Sequence, residues 1–165
     1  MIGNIKIIAV CMCKVYDERN YRIIRALNNF AVENDYRLFV YHTCSDLYWK
    51  TLSEKGEQSV FDLIDYNITD AVVTFEEGVY AENVMTKIRM DAAKYGKPVI
   101  SVGVEHDDCI SIKFGYAKGF EQVVRHVIEQ HGVRDIGFIA GRKDEENSEE
   151  RIAVFRKLLE EYDIP

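Results

Sequence analysis

The sequence predicts an α/β fold: a doubly wound, mainly parallel sheet with helices on both faces. Two observations carry this. Short apolar runs alternate with stretches whose apolar residues recur every third or fourth position, and the two are joined by brief polar links. Helix stops at Gly96-Lys97-Pro98 and His131-Gly132 each lead into an apolar run, as a helix returning to a strand requires. The pattern is fullest at the carboxyl end. A helix with Phe120, Val123, Val124, Val127 and Ile128 on one face leads to the strand-like run 135–141; the polar loop 142–147 and a helix opening at Ser148 follow. A continuous apolar run has no wet face, so it must lie in a parallel sheet covered on both sides. On this reading residues 135–141 organise the chain and everything upstream builds their sheet.

The other elements follow in order. Residues 5–13 read as a buried strand, and Asp17 sits where the N-cap of the next helix belongs, with Ile23, Ile24, Leu27, Phe30 and Ala31 forming its apolar face. Asn34-Asp35 ends that helix. Residues 36–42, rich in aromatic and branched side chains, give a second strand. Residues 45–55 are irregular, and Leu47, Tyr48, Trp49 and Leu52 suggest a loop packed on something. A helix over 57–65 buries Val60, Phe61 and Ile64; residues 70–75 form a strand ending at Glu76-Glu77-Gly78. Ala81, Val84, Met85, Ile88 and Ala92 mark the following helix, 99–102 a fourth strand, 105–108 an acidic turn and 110–113 a brief strand. In the last helix the stripe is Ile152, Phe155, Leu158, Leu159 and Tyr162, and Asn147 with Glu150 has the spacing of a capping box.

Bulk properties remove several function classes. A length of 165 residues suits one domain with a real core, and 28 acidic against 21 basic residues give a formal charge of −7. That balance argues against direct contact with nucleic acid or with an anionic membrane. The longest apolar run, 7–13, is far below the roughly 20 residues a membrane helix needs, and Lys6 interrupts any signal-peptide core, so the chain is expected to be cytoplasmic. Cys11, Cys13, Cys44 and Cys109 lack CxxC spacing and read as buried free thiols; Cys11 and Cys13 share one strand face, and oxidation with Cys44 is conceivable if the Cys44 strand lies alongside.

In doubly wound sheets ligands bind beyond the carboxyl ends of the strands, where the strand order reverses. That rule selects residues 14–17, 75–78, 104–107, 113–116 and 142–151. A dinucleotide or flavin site needs a glycine-rich turn after the first strand, but Lys14-Val15-Tyr16-Asp17 has none. A phosphoacceptor domain needs an acidic pair there and an aspartate at the tip of the third strand; Cys13-Lys14 and Phe75 stand instead. No serine or cysteine sits in a nucleophile elbow, and His42, His106, His126 and His131 lack partner spacing. Glu76, Glu77, Glu105, Asp107 and Asp108 crowd one rim, which reads either as a cation site or as a hydrated acidic surface. No enzyme, resident metal or cofactor is expected.

Residues 125–141, continued by Asn147-Ser148-Glu149-Glu150-Arg151 and 155–165, resemble the lactose-repressor-like sensors, which share the fold of the type I periplasmic binding proteins. Residues 5–13, 36–38, 70–73 and 97–100 fall where that family places equivalent elements, so the resemblance spans nearly the whole chain. It implies a non-catalytic, two-lobed module that clamps a small-molecule effector and passes the closure to an output. Residues 1–165 are expected to be a single α/β lobe, the amino-terminal one, with the crossing to the second near 163–165 and the second lobe and output absent. Met1 stands too close to the first strand for the family's helix-turn-helix. The wording at 17–21, 62–66 and 125–129 resembles repressor-like sensors fused to GGDEF-type diguanylate cyclases.

The resemblance also places a site. Arg151 matches the family's arginine at the start of the helix after the loop, a ligand hydrogen-bond donor. The family's Asp-Asn pair falls on Gly115-Tyr116 before Gly119, and both residues have changed, which weighs against a sugar. Tyr16, Phe75 and Tyr116 offer flat faces for an aromatic or apolar ligand. The expected ligand-binding set is Tyr16, Asp17, Phe75, Glu76, Glu105, Tyr116 and Arg151. The leading expectation is therefore a sensor domain of a signalling protein, a homodimer, controlling a diguanylate cyclase. The effector-binding part of a transcriptional regulator and a ligand-free dimerisation module are the alternatives.

Overall fold

The computed structural model describes residues 5–141, 143 and 145–165. Met1, and Arg142 at the head of the predicted polar loop, lie outside them. The elements run β1 (Lys6–Cys13), α1 (Glu18–Glu33), β2 (Tyr36–Thr43), α2 (Leu52–Gln58), a 3-10 turn (Ser59–Leu63), β3 (Ala71–Phe75), α3 (Glu82–Lys94), β4 (Val99–Val102), β5 (Ile110–Ile112), α4 (Tyr116–His131) and α5 (Glu146–Glu161).

Among the described residues five strands lie in one sheet of order β2-β1-β3-β4-β5, and each of these pairings is parallel. The chain winds outward from β1 to β2, then returns across β1 to build β3, β4 and β5, so the order reverses between β1 and β3. The register sets Ala9 beside Val72 and Val72 beside Val99. That face, with Cys11 and Cys13, packs against Phe61 and Ile64 below β3 and against Met85, Ile88 and Ala92 of α3 to form the main core. Because the period of a strand is two, Val10 and Met12 point to the other face; both are buried.

The chain divides into two compact units, Met1–Lys113 and Phe114–Pro165. The second has its own core: Val124 and Ile128 of α4 close on Leu158 and Ile164, with Phe120, Ile136, Val154 and Phe155 around them. The run 135–141 is not a strand, and Ile139 is 96% exposed. The sheet is built without it. A strand is held by the ladder of a neighbour, and among the described residues no strand flanks this run.

Three smaller expectations also change. The helix expected at 57–65 begins earlier, at Leu52, and ends in the 3-10 turn. Thr51 starts it through a full capping box with Glu54, a T-x-x-E spacing that outweighs the apolar character of the segment. The last helix opens at Glu146 rather than Ser148, capped by the Glu145 side chain, which accepts from the Ser148 N–H in place of the Asn147–Glu150 box. Asp17 caps α1 by position, yet its side chain makes no cap hydrogen bond. Gly132 closes α4 in the left-handed conformation at φ 64°, as the His131-Gly132 stop predicts.

Candidate functional site

The carboxyl ends of β1 and β3 flank the reversal in strand order. After Cys13 the chain turns through Lys14 at φ 49°, and the Lys14 N–H donates to Thr43 O at 2.8 Å, which keeps the turn on β2. Asn20, in the first turn of α1, donates from Nδ2 to Cys13 O and Lys14 O at 3.0 and 3.1 Å and satisfies the end of the strand. Lys14 Nζ stands 2.8 Å from Asp46 Oδ2. Their hydrogen bond holds the Asp46 carboxyl below, and the Lys14 ammonium above, the ordinary value. Tyr16 projects beyond this turn, 78% exposed, its ring edge-on to His42 at 5.4 Å. Arg19 Nη2 reaches Glu77 Oε2 at 2.8 Å and ties the start of α1 to the loop after β3.

Glu76 faces inward. Its side chain and that of Arg89 on α3 are only 6% and 7% exposed, and Arg89 Nη1 donates to both Glu76 oxygens at 2.8 Å. Thr74 Oγ1 donates to Oε1 at 2.7 Å, and His106 Nε2 lies 2.9 Å from Oε2. The carboxylate therefore fastens three things, the end of β3, helix α3 and the loop after β4. Gly103 lets that loop approach: its φ is +102°, and a Cβ there would stand 2.5 Å from Glu77 Cβ and 3.0 Å from Glu77 N.

The acidic rim is thus largely paired. Glu77 meets Arg19, Glu105 Oε2 lies 3.8 Å from Lys113 Nζ, and Asp108 Oδ1 lies 3.7 Å from Arg89 Nε. Among the described residues, no group of three or more His, Cys, Asp or Glu side chains could hold a metal ion. Phe75 is half-buried beside Val102, and Glu105 is exposed.

Tyr116 and Arg151 belong to the second unit. Tyr116 opens α4, its ring tilted against Phe114 at 5.7 Å. Arg151 lies in the first turns of α5; its Nε donates to Asn147 O at 2.9 Å and its Nη2 is 4.0 Å from Glu145 Oε2.

No family model matches the sequence, and no curated protein does. Solved structures do. The Lac repressor dimer bound to operator and the anti-inducer ONPF superposes with a TM-score of 0.67 at 14% identity, over 99% of this chain and 54% of that one. The transcription regulator CcpA of Lactococcus lactis gives 0.69 at 20%, over 97% and 55%. The periplasmic binding protein/LacI transcriptional regulator from Alkaliphilus metalliredigens, complexed with D-xylulofuranose, gives 0.67 at 17%, over 97% and 54%. The fold is that of the LacI-type regulators. The chain spans about half the length of these structures.

Within this LacI-type fold, sequence reasoning found the strand tips but missed what holds them. Arg89 shares the buried stripe of Met85, Ile88 and Ala92, and a charged residue on an apolar stripe is the signal that a buried partner exists. The loop at 45–55, expected to pack on something, has Tyr80 as a partner the sequence did not show: the Tyr80 N–H donates to Asp46 O at 2.9 Å, and Tyr48 meets Trp49 and Tyr80 edge-to-face at 4.7 and 5.2 Å. Leu47 is the buried anchor of that loop, while Trp49 is 76% exposed. The thiols are free. Burial pushes Cys11 up and Cys13 up to about 11, whereas Cys44 and Cys109, expected to be buried as well, are exposed and half-buried, since each lies just past or outside a strand.

Proposed function

We propose that the chain is the ligand-sensing part of a regulatory protein, non-catalytic, and that it works by holding a small-molecule effector at the carboxyl ends of β1 and β3. The carrying observation is the LacI-type fold over nearly all of the chain, shared with regulators of which one is bound to an anti-inducer and another to D-xylulofuranose. The groups at the reversal point suit binding: an exposed Tyr16 ring, the start of α1 with Asp17, and matched ion pairs. We assign Tyr16, Asp17, Phe75 and Glu105 to the effector face of the first lobe, and Tyr116 and Arg151 to the second lobe, which on this reading begins at the unit boundary after Lys113 and not near Pro165. Glu76, also in the expected ligand-binding set, anchors these contacts through its pairing with Arg89. Residues 135–141 then become a strand of the second lobe's own sheet, which needs further sequence to form. Gly115-Tyr116 in place of an acid and an amide directs the choice of effector away from sugars and toward a flat, weakly polar molecule.

The output we favour is a GGDEF-type diguanylate cyclase in a homodimeric, cytoplasmic protein, on the wording at 17–21, 62–66 and 125–129. Control of transcription is the second reading, and the operator-bound repressor among the similar structures favours it. Thermal shift of the full-length protein against nucleobases, aromatic acids, amino acids and sugars tests the sensor role. Saturation at a hundred times Kd stabilises by about 2.7 kcal/mol, and Tyr16→Ala and Arg151→Ala are expected to reduce it without lowering the ligand-free melting point. A stable dimer that no compound stabilises would leave only the dimerisation module.

A further inference from the structure

On α4, away from the strand tips and from the buried stripe of Val124 and Ile128, two exposed imidazoles meet. His126 Nε2 and His131 Nε2 are 3.2 Å apart, with ring centroids at 4.9 Å and planes at 77°. Their spacing of five residues is wider than the three or four that normally bring side chains onto one helix face. The contact is made at the helix's final residue, next to the Gly132 cap, whose N–H is fixed to Ile128 O and Val127 O.

We propose that His126 and His131 form a bidentate chelate for a divalent transition metal ion. Two nitrogens each about 2.05 Å from one ion stand roughly 2.9 Å apart at a right angle and roughly 3.3 Å apart at the tetrahedral angle. The observed 3.2 Å lies between, and corresponds to an N–metal–N angle of roughly 100°. Imidazole nitrogen selects Ni2+, Cu2+ or Zn2+ over Mg2+ or Ca2+. A cation also meets the negative end of the helix dipole here. With no third His, Cys, Asp or Glu grouped beside them among the described residues, the remaining positions go to water, so the site is an open chelate and not a closed structural centre. It requires both imidazoles neutral on the metal-facing nitrogen, and binding displaces any proton shared between them. The packing of α4 on α5 through Phe120, Val124 and Ile128 fixes the backbone that carries the pair, which lowers the ordering cost of chelation.

The test is Ni2+ titration of the 165-residue protein, read by NMR at the imidazoles of its four histidines. His126 and His131 are expected to broaden together, at Ni2+ concentrations where His42 and His106 remain sharp. His126→Ala and His131→Gln are each expected to weaken binding on the order of tenfold to a hundredfold, because either change leaves a single imidazole, and the double variant is expected to lose binding at this place altogether. Metal-free melting temperatures of the variants show that the helix survives. Uniform broadening of all four histidines, or a single variant that binds as tightly as the parent, would overturn the proposal. It stands apart from the effector reading, since neither histidine belongs to the strand tips.

Discussion

Replacing Glu76 with glutamine tests whether one buried ion pair holds the strand tips. The substitution keeps shape and size but removes the charge that Arg89 Nη1 meets at 2.8 Å on both oxygens. With both side chains below a tenth exposed, water cannot take over, and a guanidinium left alone in such a place costs about 3–5 kcal/mol. Arg89 Nε lacks a hydrogen-bond partner, and what remains to the guanidinium is Thr86 Oγ1 at 3.2 Å from Nη2 and the exposed Asp108 carboxylate at 3.7 Å from Nε, which sets the expected loss toward the lower end of that range. Against a total stability of about 5–15 kcal/mol this is a large share, and at about 2–4 °C per kcal/mol it lowers the melting point by roughly 10 °C. The assay is urea unfolding followed by fluorescence of Trp49, the only tryptophan, which reports on the first unit alone. Removing both charges, as Glu76→Gln with Arg89→Met, is expected to recover most of the loss, since an apolar replacement of a buried pair is often neutral. If Glu76→Gln costs less than about 1 kcal/mol, or the double variant equals the sum of the single ones, the pair does not anchor the tips.

Three further outcomes follow from the same region. Gly103→Ala sets a Cβ against Glu77 Cβ and backbone at a positive φ, so a loss of about 1–3 kcal/mol or more is expected in thermal melts; an unchanged melting point would contradict the close approach. Asp46 has a folded pKa lowered from 3.8 by its bond to Lys14, so its contribution is complete above that value and is lost as the pH falls through the lower folded one. Both partners are partly exposed, which limits the effect to no more than about 1 kcal/mol, and Asp46→Asn should flatten the acid limb of a stability profile to that extent. Thiol labelling near pH 8 should modify Cys44 first and leave Cys13, at about 11, and the buried Cys11 until the first unit unfolds; equal rates for Cys13 and Cys44 would refute the burial.

The sheet was legible because strands of a parallel sheet are buried on both faces and show as unbroken apolar runs. The spans of β1, β2, β3 and β4 accordingly match their sequence signals to within a residue or so. Glycine stops fixed the ends of α3 and α4 for a similar local reason. The start of α2 was harder, since Thr51-Leu52-Ser53-Glu54 carries a capping signal inside a stretch whose Trp49 and Leu52 look like loop packing. At the tips, the sequence shows which residues sit at strand ends but not which way a carboxylate turns. Glu76 and Glu77 are neighbours with opposite fates, one buried under Arg89 and the other at the surface with Arg19, and only the position of α3 decides between them.

Residues 135–141 carry the sharpest consequence of the two-lobe reading. The run has the composition of an interior strand, yet it makes no ladder among the described residues and leaves Ile139 in water. Burying that side chain is worth about 1.5–3 kcal/mol, so the segment is held back by the lack of neighbours and not by its own preference. Hydrogen exchange of the 165-residue protein is therefore expected to show fast amides at 136–140 beside slow ones at Val10, Cys11 and Met12, whose strand is flanked by β2 and β3. In a longer chain that supplies the second lobe's remaining strands, the same amides should slow by several orders of magnitude while those of β1 stay as they are. Protection of 136–140 already present in the shorter chain would mean that the run finds a partner within these residues, and the boundary after Lys113 would then not divide two lobes.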